Sequence, residues 1–329
     1  MAAQNDQPIT FDDLIGQPTL KARLLAPLAR GTVAHALLVL GPSGSGKRTV
    51  AALYARALLC QSLSDKPCNH CSSCRKALAQ SHPDLHVIRP AEPGKALGVE
   101  DARGLQRLID MKPYEGGRVV VVVEEAQDMT VQAQNALLKT LEEPPPHVVL
   151  VLLTDSLSAL LPTIQSRCTV VKLARLSPAD VLTVLARHGH DGDERARHAA
   201  AIADGSPGRA LALLGDEDYW PLRQDALRTL DLLAAGGGLA QAMRFLQERR
   251  ARVGDVLLLW ECALRDARLA QLSAQAPKLT GAVGRALPTL DGARLETMLA
   301  ACAQARRALD GNAMYTVATD HLLLQLAGG

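Results

Sequence analysis

Five short runs of the chain are dominated by Val, Leu and Ile: Ala36–Leu40, Leu85–Ile88, Val119–Val123, Val148–Leu153 and Thr169–Leu173. Runs of this length, without polar alternation, predict strands buried on both faces. Between them, apolar positions recur at helical spacing over Leu20–Arg30, Lys47–Leu59, Val99–Met111 and Val131–Glu142. Strands alternating with helices predict an α/β fold, a doubly wound parallel sheet that closes near Leu173.

After Ser177-Pro178 the strand pattern stops, and Pro178 suits the first turn of a helix capped by Ser177. Helical segments over Ala179–Arg187, Glu194–Ala203 and Arg209–Leu214 predict a small bundle, with a linker at residues 215–218. From Tyr219 onward the chain reads as helix, broken at Gly236-Gly237-Gly238, Pro277, Gly281 and Gly311-Asn312. The expected division is a nucleotide-binding-like domain over 1–174, a helical domain over 175–215 and an all-α domain over 216–329.

Aromatic residues make up only 2% of 329 residues, so Leu, Val and Ala must fill the cores, which suits closely packed helices. A net charge of +2 argues against a free-standing nucleic-acid binder, though not against a subunit that meets phosphates as part of an assembly. The opening MAAQNDQPIT has no charged-then-apolar signal pattern, and no apolar run reaches membrane-spanning length. A cytoplasmic location without membrane contact is expected, and seven cysteines there read as metal ligands or buried thiols.

Directly after the first strand comes Gly41-Pro42-Ser43-Gly44-Ser45-Gly46-Lys47-Arg48, which matches G-x-x-x-x-G-K-[ST] except at its end. Gly41, Gly44 and Gly46 let the backbone curl so that N–H groups face a phosphate, and Lys47 reaches toward the terminal phosphates. Arg48 stands where a hydroxyl normally ligates Mg²⁺, and a guanidinium cannot ligate a cation. Thr49 is one residue on, a rotation of roughly 100° away. After the strand Val119–Val123, Glu124-Glu125 replaces the usual Asp-Glu pair, which shifts the carboxylate by a methylene. The site reads as degenerate for hydrolysis. Whether ATP or ADP still binds, or the loop is only a structural turn, stays open.

Cys60, Cys68, Cys71 and Cys74 are spaced C-x₇-C-x₂-C-x₂-C. Four closely spaced thiolates suit a closed tetrahedral, structural Zn²⁺ site, with His70 as a possible substitute ligand. A redox C-x-x-C is the rival reading, and the extra pair makes zinc the better fit. Cys262 and Cys302 read as small buried hydrophobes. On Val131–Glu142, Val131, Ala133, Leu137, Leu138 and Leu141 form an apolar stripe, and Gln134 and Lys139 read as a solvated face or as a surface toward DNA phosphates.

Several segments then fall into one order: Phe11-Asp12-Asp13-Leu14-Ile15-Gly16-Gln17, the phosphate loop, the cysteine insertion, Asn135–Pro145 (NALLKTLEEPP) and Ser166-Arg167-Cys168. Over residues 9–210 the chain resembles the bacterial clamp-loader family, the gamma/tau and delta-prime subunits of DNA polymerase III. The resemblance implies an AAA+ fold with a helical lid and an all-α collar. It implies a ring-shaped hetero-oligomer with gamma/tau and delta subunits, which places a sliding clamp on primed DNA as part of the polymerase holoenzyme. It also implies that Arg167 acts in trans, as an arginine finger on ATP held by a neighbour. The loss of Lys-Thr and Asp-Glu points to the delta-prime branch, a non-hydrolysing scaffold. The alternative is a gamma/tau-type subunit that hydrolyses ATP itself. Arg209 is displaced by one residue from the family's phosphate-sensing position and receives no role.

Overall fold

The computed structural model describes residues 8–63, 65–90, 92, 95–115, 117–273, 286–311 and 313–328. The chain forms two compact units. The first runs to Asp191 and takes in Asp204–Arg209; the second comprises Gly192–Ala203 and the chain from Ala210. In the first unit, α1 (Pro18–Arg30) leads to β1 (Ala36–Leu40), α2 (Lys47–Leu59) and α3 (Ser72–Leu78). Next come β2 (Leu85–Ile88), α4 (Val99–Ile109), β3 (Val119–Val123), α5 (Val131–Glu142) and β4 (Val148–Thr154). The unit continues with α6 (Pro162–Gln165), β5 (Thr169–Lys172) and α7 (Pro178–Arg187).

The five strands form one parallel sheet in the order β2-β3-β4-β1-β5. Strand residues alternate between faces, and each face has its own core. Leu37, Val39, Val120, Val122, Val149, Val151 and Leu153 pack with α1 and α2. Ala36, Leu38, Val119, Val121, Val123, Leu150 and Leu152 pack with α4 and α5. Every residue of β3 and β4 is buried, as their unbroken apolar runs predict, whereas β2 and β5, also expected to be buried, are partly exposed because they are the edges of the sheet. The doubly wound parallel sheet expected from the sequence is present. The loop after β1 and the acidic pair after β3 both leave the carboxyl ends of their strands, where open parallel sheets build ligand sites.

The second unit is helical among the described residues. It contains α8 (Glu194–Ile202), most of α9 (Pro207–Gly215), α10 (Tyr219–Ala234), α11 (Leu239–Glu248), α12 (Val253–Leu272), α13 (Gly292–Asp310) and α14 (Tyr315–Ala327). Its core is aliphatic around Tyr219 and Trp260, and the Trp260 indole donates to the Ala226 carbonyl at 2.8 Å. The breaks expected at Pro277, Gly281 and Asn312 lie outside the described residues. Among the described residues no helix is long and apolar enough to cross a membrane.

Two readings of α5 need correction. Val131 is more than half exposed and does not belong to the buried stripe. Gln134 is buried, not on a solvated or DNA-facing surface. Its amide donates to the carbonyls of Met129 and Ala159 and accepts from the Leu161 N–H, so it ties the segment before α5 to the segment after β4. A helical wheel places polar residues outward by type; this one is inside because three backbone groups there need partners.

Candidate functional site

Gly44 and Gly46 of the phosphate loop adopt left-handed backbone (φ 71° and 94°), and Gly46 caps the start of α2. The turn therefore has the conformation its glycines predict. Lys47 is only 8% exposed, and its ammonium donates to the loop's own carbonyls, Gly41 at 2.6 Å and Pro42 at 3.1 Å. Burial lowers the Lys47 pKa, and the carboxylates of Glu125 and Asp155 oppose the fall. Arg48 reaches across to the acidic pair: Nε lies 2.9 Å from Glu124 Oε2, and the terminal nitrogen donates to Glu125 Oε1 at 3.1 Å. Glu125 sits in left-handed backbone (φ 51°), and its other oxygen accepts from Gln127 at 2.7 Å. Thr49 is exposed. The guanidinium thus ties the start of α2 to the acidic pair that follows β3.

A second segment closes on the same loop. Ser206 donates from its hydroxyl to the Ser43 carbonyl at 2.9 Å, and the Gly208 N–H donates to the Gly44 carbonyl at 2.9 Å. The approach is close enough that a Cβ on Gly208 would meet Gly44 Cα at 2.8 Å, so glycine is required there. Ser206 also accepts from the Arg209 N–H at 3.3 Å. The contribution of Arg209 to this contact is its backbone.

Arg167 follows the single-turn helix α6. Its guanidinium pairs with Glu142 at 2.8 Å and donates to the Thr163 carbonyl at 3.0 Å. Both side chains of the pair are partly exposed, so the pairing is weak enough to exchange. The structure therefore joins the two most distinctive sequence segments, NALLKTLEEPP and Ser-Arg-Cys, through one ion pair.

The sulfur atoms of Cys60, Cys68, Cys71 and Cys74 all lie within 4.8 Å of one another. A tetrahedron of sulfurs at about 2.3 Å from zinc has edges of about 3.8 Å, and Cys68 Sγ and Cys74 Sγ are 4.0 Å apart. Backbone N–H groups point at the sulfurs: Ser62 and Cys68 at Cys60, Cys71 at Cys68, and Cys74 at Cys71, at 3.3–3.4 Å. Such donors stabilise thiolates. Burial pushes the Cys68 thiol up, but N–H donors led by that of Cys71 more than reverse this, to about 6. Cys71 is likewise lowered against its burial, while burial holds Cys60 and Cys74 up. The cluster can hold a metal ion: all four ligands are gathered and no disulfide consumes them. His70 stands apart from the sulfurs, with Nδ1 at 2.7 Å from the Cys68 carbonyl.

The module is fixed to the sheet by contacts that sequence reading passed over. Cys71 caps α3, a helix too short to show periodicity. Ser73 donates to the Leu59 carbonyl at 2.7 Å and contacts His82 Nε2 at 2.8 Å. The Asp84 N–H donates to His82 Nδ1 at 3.1 Å, which leaves the ring proton on Nε2. The Asp84 carboxylate accepts from the N–H groups of Tyr114 and Glu115. Ser206 and Gly208 were also missed as partners of the phosphate loop. Arg56, a lone charge within VAALYARALL, carried the one signal that could have flagged a buried polar role.

Residues 16–177 match the family model described as "DNA polymerase III, delta subunit". The chain is 40% identical over 188 residues to DNA polymerase III subunit delta' of Pseudomonas aeruginosa, covering 56% of this chain and 57% of that protein. The Haemophilus influenzae delta' subunit is 41% identical over 140 residues, 42% of its length, so the chain spans about half the length of these two curated relatives. Bacillus subtilis DNA polymerase III subunit tau is 30% identical over 241 residues, covering 71% of this chain and 42% of that one. Among solved structures, the Thermotoga maritima RuvB Holliday junction branch migration motor aligns over 98% of this chain and 91% of its own, with a TM-score of 0.45 and 16% identity. With the Escherichia coli delta' subunit the identity is 33% over 230 residues, 70% of this chain and 69% of the relative, and the chain belongs to the family of DNA polymerase III delta' subunits.

Proposed function

We propose that the chain works as a delta' subunit of a clamp-loading assembly: a scaffold that does not hydrolyse ATP itself and that lends Arg167 to a triphosphate held by a gamma/tau-type neighbour. Its further partners in this reading are a delta subunit and, through the assembly, the sliding clamp and primed DNA, in the cytoplasm. The carrying observation is Arg48 set between Glu124 and Glu125, because a resident cation already pairs with both acids that would hold Mg²⁺. The loop carbonyls satisfy Lys47, and Gly208 and Ser206 engage the loop from outside, so it keeps its shape without a phosphate. Gly41, Gly44 and Gly46 then serve as a structural turn.

Arg167 differs in its partner, whose side chain is 52% exposed against 11% and 34% for Glu124 and Glu125. It is held by a solvent-exposed partner that it can give up, and a guanidinium can stabilise charge on a transferring phosphoryl group of another subunit. Cys60, Cys68, Cys71 and Cys74 would hold Zn²⁺ in a closed site, which stabilises the module between α2 and β2 without taking part in catalysis. In this reading the chain divides into the sheet domain (1–174), a helical lid (175–215) and a collar (216–329).

The test is ATP turnover in a mixture with gamma/tau-type subunits, delta, clamp and primed DNA. Arg167→Ala should lower the part of turnover that depends on this chain by about 10³-fold while the complex still assembles by size-exclusion chromatography. Unchanged turnover in an assembled Arg167→Ala complex would refute the proposed role.

A further inference from the structure

Arg56 lies in the middle of α2 and is only 5% exposed. One terminal nitrogen donates to the Ile9 carbonyl, and Nε is buried without a partner. Among the described residues no carboxylate comes within ion-pair distance of it. A guanidinium cannot shed its proton to escape burial, so it needs a negative charge or costs several kcal/mol. One helical turn further on, the same helix is capped by Cys60, the first of the four cysteines. Four thiolates around a divalent cation leave a net negative charge on a centre half-enclosed by protein. Among the described residues the buried guanidinium has no anionic partner, and a metal-loaded cluster beside it would carry an excess of negative charge.

We propose that Arg56 is the resident counter-charge of the four-cysteine metal centre, and that metal and guanidinium stabilise each other's burial. The arrangement reaches the N-terminal segment as well. Arg56 holds the carbonyl of Ile9, and Asn69, between Cys68 and Cys71, donates to the carbonyl of Pro8 at 3.2 Å. The inference rests on the metal reading of the cysteines.

The test uses the full chain with Zn²⁺ and a chromophoric chelator. Arg56→Met keeps an unbranched apolar stem and removes the charge; Arg56→Lys keeps the charge. Arg56→Met should weaken zinc binding by about tenfold or more, the range for groups that support metal ligands, with Arg56→Lys recovering most of the loss. Thermal unfolding supplies a sign that a packing role does not produce. With zinc, Arg56→Met should unfold at a lower temperature than the unaltered chain. With zinc removed, it should unfold at a higher one, because the unpaired charge is gone. If Arg56→Met does not fold with zinc, the same comparison in a Cys60→Ser background keeps the sign test available. An Arg56→Met chain that binds zinc as tightly as the unaltered chain overturns the proposal alone. An unaltered chain that binds no zinc overturns the metal reading and the proposal together.

Discussion

The phosphate loop and the cysteine cluster lie at opposite ends of α2, and both carry a ligand-binding motif. They differ in what their own chain leaves unsatisfied. At the loop, the motif's charged side chains have internal partners: Lys47 binds Gly41 and Pro42 carbonyls, Arg48 pairs with Glu124 and Glu125, and Ser206 and Gly208 engage Ser43 and Gly44, while the buried Ser45 hydroxyl has no partner among the described residues. At the cluster, four sulfurs converge with backbone N–H groups aimed at them, a ligand set gathered for a cation. A motif gives the ligand types; the internal partners indicate whether a ligand is still needed.

This contrast can be broken at either end. The largest effect is expected at the cysteines. Cys74→Ser or chelation should release one equivalent of zinc and lower the unfolding midpoint by about 10 °C, at ~2–4 °C per kcal/mol for a domain of this size. Calorimetry reads the shift, and hydrogen exchange should speed up over residues 60–82 first. A smaller effect is expected where the loop is closed. Gly208→Ala puts a Cβ against the Gly44 backbone and should cost about 1–3 kcal/mol in chemical denaturation, with faster exchange at residues 43–46. The smallest effect on stability is expected at Arg48, whose side chain is 65% exposed. Arg48→Thr should cost less than about 1 kcal/mol, but it leaves Glu124 and Glu125 without their cation. Added Mg²⁺ should then raise the midpoint of this variant and not that of the unaltered chain.

Much of this was legible in the sequence. The strands announced themselves because a doubly covered parallel sheet demands unbroken apolar runs, and Val119–Val123 contains nothing else. The cysteine spacing gave the cluster because its ligands are near in sequence. Contacts between distant segments were not legible. Ser206 and Gly208 meet the phosphate loop across more than 160 residues, and no local pattern encodes that pairing. Gln134 looked like surface because polarity was read without the backbone groups it serves. The short helix α3 is held by its cap and by Ser73, not by a periodic apolar face.

The central claim is that Arg48 has taken the metal's place in this chain's own loop. Its most direct test is single-turnover ATP hydrolysis by the purified full chain with Mg²⁺, beside Lys47→Ala. The account predicts no hydrolysis above background and no difference between the two proteins. Turnover that Lys47→Ala abolishes would contradict it.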